Sequence, residues 1–281
     1  MAMLNFKRKG DFLTLIDDSD TLLNSDLPTQ YQSAGPFAHG VYEDFVDAEI
    51  LKQVANEYPS REAKQYFDRD QERFKYQYHP TESDSILIQS LLTELNSDRM
   101  LKWLTKLTGI PNLIPDPYFV GGGLHETLQG GHLSIHADFN VHKPLRVQRR
   151  INLLIYLNEN WLDSYGGHLE LWDKEMKKCQ KQILPTIAKA VIFNTDLDSY
   201  HGQPEPLKCP TDVTRKSIAL YYYSVPLGGI ENLKNRNTQF QTRSKTRDKT
   251  DWRVKVTHAV TDWVPLKLQP PVNRIIQAIF S

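Results

Sequence analysis

Three stretches between residues 132 and 223 alternate their side chains with a period of two, and a chain that does so repeatedly must build a β-rich core. In residues 149–157, Ile151, Leu153, Ile155 and Leu157 fall on one face, with Arg150, Asn152, Leu154 and Tyr156 on the other. The first face requires an apolar covering layer. The second mixes polar and apolar groups, as a pocket wall does. In residues 215–223, Arg215, Ser217, Ala219, Tyr221 and Tyr223 share a face opposite Lys216, Ile218, Leu220 and Tyr222. In residues 132–138, His132, Ser134, His136 and Asp138 share a face too polar for buried core. Ala190–Asn194 reads as a buried strand.

The polar faces carry the chemistry. His136 and Asp138 point the same way from one strand, as a shared metal ion requires. His201 follows the 190–194 strand and a turn at 195–199, where a neighbouring strand would deliver a third ligand. Two imidazoles and one carboxylate are the protein ligands that hold non-haem Fe(II) and leave coordination positions open. A helical zinc site through His132 and His136 is the competing reading, but Gly130 and Gly131 precede the pair and the glutamate of an HExxH motif is missing. His168 and Glu170 form a second spaced pair. With Leu169 and Leu171 as the buried alternates, they read as an ordinary exposed strand face.

Arg215 and Ser217 offer a guanidinium and a hydroxyl on one face, a pair suited to a carboxylate because the planar fork of arginine binds both oxygens. Taken alone, Arg215 with Lys216 reads better as a surface pair at a strand start. Tyr156 has two readings, a donor to a bound acid or a core tyrosine.

His136-x-Asp138, Tyr156-Leu157-Asn158, Gly166-Gly167, Tyr200-His201 and Arg215-x-Ser217 occur in this order. Together they resemble the Fe(II)- and 2-oxoglutarate-dependent dioxygenases, in their prolyl 4-hydroxylase-like branch, over about residues 116–225. The likeness extends in outline to the catalytic domain of the hypoxia-sensing prolyl hydroxylases. The resemblance implies a β-rich α+β fold with a double-stranded β-helix core, jelly-roll or cupin-like, and helices over one face. It implies His136, Asp138 and His201 as Fe(II) ligands, and Arg215, Ser217 and Tyr156 around 2-oxoglutarate. O2 is the co-oxidant, ascorbate a reductant, and succinate and CO2 the by-products. Relatives that halogenate lack the carboxylate ligand, so Asp138 favours hydroxylation of a C–H bond in a small molecule or peptidyl side chain. The segment from His201 to Arg215, with Pro204, Pro206 and Pro210, is longer than in the hypoxia-sensing group. The alternative function is a non-catalytic, cupin-like β-barrel that binds a metal or ligand.

The remainder of the 281 residues reads as additions to one structural domain. Residues 1–115 are expected to be mostly helical support, with helices at 47–55, 85–95 and 100–107. Residues 66–78, aromatic and charged, read as a lid or substrate strand, or as a loop packed on the core. Residues 226–281 form a basic extension: 233–255 carries eight Lys or Arg against two acids, and a short helix is expected at 272–280. Basic and acidic residues balance at 34 each, so no global field favours nucleic acid or a membrane. There is no run long enough to span a bilayer, and residues 1–11 lack the apolar region of a signal peptide. Cys179 and Cys209 make no disulfide framework, which points to the cytoplasm, with Cys209 read as a structural thiol. Nothing in the pattern speaks to oligomeric state.

Overall fold

The computed structural model describes residues 2–62, 65–226, 228–229, 236–244, 246 and 248. The expected helix at 272–280 and most of the basic run at 233–255 lie outside the described residues.

The N-terminal part begins with a hairpin, β1 (Phe6–Lys9) and β2 (Phe12–Leu15), followed by α1 (Leu27–Ser33), β3 (His39–Tyr42) and α2 (Ala48–Asn56). Asp47 caps α2, its side chain accepting from the Glu49 amide at 2.8 Å. A second hairpin, β4 (Gln65–Arg69) and β5 (Glu72–Tyr78), precedes α3 (Ile86–Leu95) and α4 (Asp98–Thr108). Ser85 and Ser97 cap these two helices by accepting from Ile88 and Met100. The core follows as β6 (Ile114–Pro115), β7 (Gly123–Ala137), β8 (Val141–His142), β9 (Val147–Tyr156), β10 (Leu169–Trp172), β11 (Cys179–Ile183), β12 (Ala190–Asn194), β13 (His201–Gln203) and β14 (Arg215–Ser224). A short β15 (Gln239–Phe240) is the last strand among the described residues.

The main sheet is antiparallel and runs β11-β10-β13-β7-β14-β9-β12-β3. The long strand β7 bridges two layers. Its first half pairs with β14, Thr127 opposite Arg215, and its second half pairs with β13, His136 opposite His201. The sheet thereby curls into the half-barrel of a double-stranded β-helix. Its convex face buries Ile151, Leu153, Ile155, Leu157, Ile218, Leu220 and Tyr222 against Leu51 and Val54 of α2 and Leu87, Ile88, Leu91 and Leu95 of α3. This is the covering layer that the period-two faces require, and the helices capped by Asp47, Ser85 and Ser97 provide it.

The N-terminal part is less helical than its sequence suggests. β3 extends the sheet beside β12, and the 65–78 segment is a hairpin whose β5 pairs with β7 from Leu124 to Leu133. Its Tyr66, Tyr76 and Tyr78 stack along one face, with ring centroids 4.7 and 6.2 Å apart.

Glu170 departs from expectation. It is 5% exposed and accepts from Trp172 Nε1 at 2.8 Å and Gln182 Nε2 at 3.0 Å. A β-bulge between Leu171 and Trp172 turns the indole back onto the carboxylate and closes over it. His168 lies before the strand and pairs with Asp163. The segment from His201 to Arg215 packs inward, Leu207 and Cys209 forming a small apolar cluster with Trp161. Burial pushes the Cys209 thiol up, as suits a structural cysteine.

Candidate active site

The concave face of the half-barrel holds a cavity of about 350 Å³, and the residues singled out by sequence line it: His136, Asp138, His201, Arg215, Ser217 and Tyr156. They converge because their strands are neighbours. His201 stands directly opposite His136 across β13 and β7, and Ser217 stands opposite both Tyr156 and His125.

At one end, His136, Asp138 and His201 bring their ligand atoms within 4.8 Å of one another, the one such group among the described residues. Asp138 lies 3.5 Å from Nε2 of each imidazole. The Nδ1 atoms of His136 and His201 lie 2.8 and 2.9 Å from the Ser134 and Ser199 carbonyls. These carbonyls can only accept, so each ring carries a proton on Nδ1 and turns Nε2 toward the cavity, the nitrogen a metal ligand would use. Burial, reinforced by the neighbouring His136, lowers the pKa of His201 to about 4 and keeps it neutral. Burial opposes ionisation of Asp138. The Arg149 guanidinium outweighs that cost and holds its carboxyl well below the ordinary range. Two imidazoles that turn Nε2 to the cavity and an ionised carboxylate fit a divalent transition metal with open positions.

The other end is built for an anion. Arg215 is buried, donates from Nε to the Gly167 carbonyl at 2.9 Å, and has no acidic partner among the described residues. Gly167 sits at φ +75°, and a Cβ there would come within 3.1 Å of the Arg215 side chain. The Gly166-Gly167 turn is thus the seat on which the guanidinium rests. The Tyr156 hydroxyl is buried with no hydrogen-bond partner, and the Arg215 guanidinium stands 5.0 Å from the centre of its ring. His125 Nε2 is likewise buried and unpartnered, and burial holds this imidazole well below its ordinary pKa. An unmatched buried cation beside unsatisfied polar atoms fits a bound carboxylate that completes the set.

Strand parity succeeds for β14 and fails in part for β7. Leu133, not His132 or Ser134, lines the cavity with His136. The pairing of β13 with β7 shifts register between these positions, so Leu133 and His136 face the same way although three residues apart. Gly202 marks the tight place: a Cβ there would lie 2.8 Å from the Ser134 carbonyl.

Sequence reasoning missed Arg149. It is 1% exposed, pairs with Asp138 at 3.1 Å, and donates from Nε and Nη2 to Asn152 Oδ1 at 2.9 and 2.7 Å. Asn152 in turn donates to Asp138 at 2.8 Å, and the guanidinium stands 3.5 Å over the Tyr221 ring. A register shift beside Arg150 turns Arg149 onto the face of Asn152. The hairpin residues Phe67, Arg69, Glu72 and Lys75 also line the cavity, with Lys75 paired to Glu72 at 2.7 Å.

The family model of the 2OG-Fe(II) oxygenase superfamily matches residues 122–223. No curated protein sequence matches the chain. Among solved structures, a prolyl hydroxylase from Trichoplax adhaerens, in complex with a hypoxia inducible factor oxygen degradation domain peptide fragment, aligns with a TM-score of 0.51. Identity is 18% over 73% of this chain and 90% of that one. A prolyl-4-hydroxylase from Pseudomonas putida aligns at 0.46, with 16% identity over 70% and 98% of the two chains. HygX from Streptomyces hygroscopicus, with nickel and 2-oxoglutarate bound, aligns at 0.47, with 12% identity over 71% and 86%. Among the described residues, no helix is long and apolar enough to cross a membrane. Over the strands that carry the site the chain thus matches the 2OG-Fe(II) oxygenase superfamily, whose members use Fe(II), 2-oxoglutarate and O2, and its fold is that of the prolyl hydroxylase.

Proposed function

We propose that the enzyme hydroxylates a C–H bond of a small molecule or peptidyl side chain, with His136, Asp138 and His201 as the Fe(II) ligands. Arg215 anchors the distal carboxylate of 2-oxoglutarate, with Ser217 and Tyr156 beside it. The observation that carries this reading is Arg215: a buried guanidinium without an acid, in the same cavity as the His-Asp-His group. A non-catalytic metal module has no use for such a cation. When bound, Fe(II) supplies the redox chemistry by which O2, 2-oxoglutarate and the substrate C–H become succinate, CO2 and the alcohol.

The chain's own residues bind and orient. The Ser134 and Ser199 carbonyls fix the two imidazoles, Arg149 and Asn152 fix the Asp138 carboxylate, and Gly167 fixes the Arg215 guanidinium. The curled sheet excludes bulk water, which strengthens the Arg215–carboxylate attraction. Residues 116–225 form the catalytic core in this reading, with 1–115 as support and 226–281 as an extension. A cytoplasmic setting suits both the ferrous ion and the free thiols Cys179 and Cys209.

The test is succinate release from 2-oxoglutarate with Fe(II) and ascorbate. Slow turnover is expected without substrate and is abolished by Asp138→Ala. Arg215→Ala is expected to raise the 2-oxoglutarate requirement by roughly a hundredfold, the scale for removing one partner of a buried charge-assisted pair. Tight 2-oxoglutarate binding without decarboxylation under any candidate substrate would overturn the proposal.

A further inference from the structure

After β14 the chain returns to the site. On one side of β7, β5 pairs as far as Leu133, and β15 takes over at Ala137 and His136, with Phe240 directly opposite His136. The Gln241 amide then donates to the Ile135 carbonyl at 2.8 Å. The strand that carries His136 is therefore paired on both sides, with β13 on one and β15 on the other.

A two-residue strand does not hold itself in place, and here both ends are anchored. Upstream, the Arg236 amide donates to Asn140 Oδ1 at 2.8 Å, and the Asn140 amide donates back to the Arg236 carbonyl at 3.3 Å. Downstream, the Arg243 side chain is 9% exposed and donates to Glu205 at 2.6 Å and to both Asp248 oxygens at 2.8 and 3.0 Å. The Arg243 amide also donates to Asp248, at 2.8 Å. A forked guanidinium between two carboxylates is a geometrically specific fastening.

Between the anchors, Thr238 and Phe240 line the cavity, and the Phe240 ring lies 5.5 Å from that of His136. Along β7 this is the His136 end, away from Thr127, where Arg215 is seated. Resting on the metal-site reading above, we propose that residues 236–243 form a strap across the substrate side of the site. Phe240 limits the bulk of what is admitted beside the metal, and Arg243 is the latch. The substrate then presents a compact, apolar carbon centre to the aromatic ring, facing the charged Glu72–Lys75 pair of the hairpin.

Two measurements test this. With the full chain loaded with Mn(II), which does not turn over, calorimetry compares 2-oxoglutarate, pyridine-2,4-dicarboxylate and a bulkier bicyclic hydroxyquinoline carboxylate. Phe240→Ala is expected to tighten the bicyclic acid by roughly tenfold while leaving 2-oxoglutarate within about twofold. An unchanged preference overturns the wall. In the metal-free protein, Arg243→Gln is expected to cut hydrogen-exchange protection of the Gln241 amide by roughly tenfold and to leave that of Ile218 in β14 unchanged. Undiminished protection at Gln241 overturns the latch. Should the wild-type chain bind none of these acids with Mn(II), the metal-site reading fails, and the strap stands or falls on the exchange result alone.

Discussion

Arg149 illustrates how one buried side chain can govern a site through the carboxylate it holds. Its charge is matched by Asp138, its donors by Asn152, and its flat face by Tyr221, so it has little freedom to move. Asp138 is held in one orientation as a result. Arg149→Met keeps the approximate volume and removes the clamp. Loss of such an outer partner is expected to weaken Mn(II) binding by about 10- to 100-fold. Free Mn(II) counted by paramagnetic resonance measures this, with near-ultraviolet circular dichroism as the check on folding, and undiminished affinity in a folded variant would remove Arg149 from the site. Arg215 and Ser217 were legible because period-two counting holds along β14, His136 and Asp138 because they lie beyond the shift in β7, and His201 because of its place after a buried strand and a turn. Arg149 was not, because counting assumes an unbroken ladder, and the shift beside Arg150 reverses the faces. Glu170 misled for a related reason, since the groups that bury it, Trp172 and Gln182, come from a bulge and a neighbouring strand.

At the scale of elements, β7 is the member on which the others depend, and Glu126 fastens it. This buried carboxylate accepts from Arg61, Thr214 and Tyr78, and so ties the stretch after α2, the approach to β14 and the end of β5 to the first part of β7. Burial opposes its ionisation, but the three donors outweigh that cost and hold its pKa below the ordinary 4.5. A carboxyl with a depressed folded pKa contributes stability that is complete above its unfolded value and is lost as pH falls through the folded one. The stability gap between wild type and Glu126→Gln, from urea melts, is therefore expected to be constant above about pH 5.5 and to shrink below about pH 4.5. A gap that persists at full size to about pH 3 would mean that the charge of Glu126 contributes nothing. Local signals made α2 and α3 readable, because Asp47 and Ser85 mark their starts, whereas the helix expected at 100–107 missed the Ser97 cap and the first residues of α4. The β4–β5 hairpin and β15 were not readable as parts of the sheet. Their pairing partner, β7, is far away in sequence, and short strands of mixed polarity acquire their state from the neighbour they join.

For the whole molecule, stability and function are drawn from opposite faces of one sheet. The convex face buries a continuous apolar cluster under α2, α3 and α4, while the concave face encloses Arg215, His125 and Tyr156 with incomplete partners. Burial pushes the Arg215 guanidinium below its ordinary pKa, which is the mark of a charge that the fold alone does not repay. Arg215→Met should relieve that strain. In the absence of ligand its melting temperature is expected to rise by about 2–4 °C, the shift that about 1 kcal/mol gives in a chain of this size. The wild type should overtake it once Mn(II) and 2-oxoglutarate are added. A ligand at a hundred times its dissociation constant stabilises the folded state by about 2.7 kcal/mol, and the variant has lost the anchor for that ligand. Thermal melts of both proteins with and without the ligand pair decide the matter. If Arg215→Met melts below wild type when no ligand is present, the guanidinium is already compensated within the fold, and its claim to be waiting for a carboxylate collapses with it.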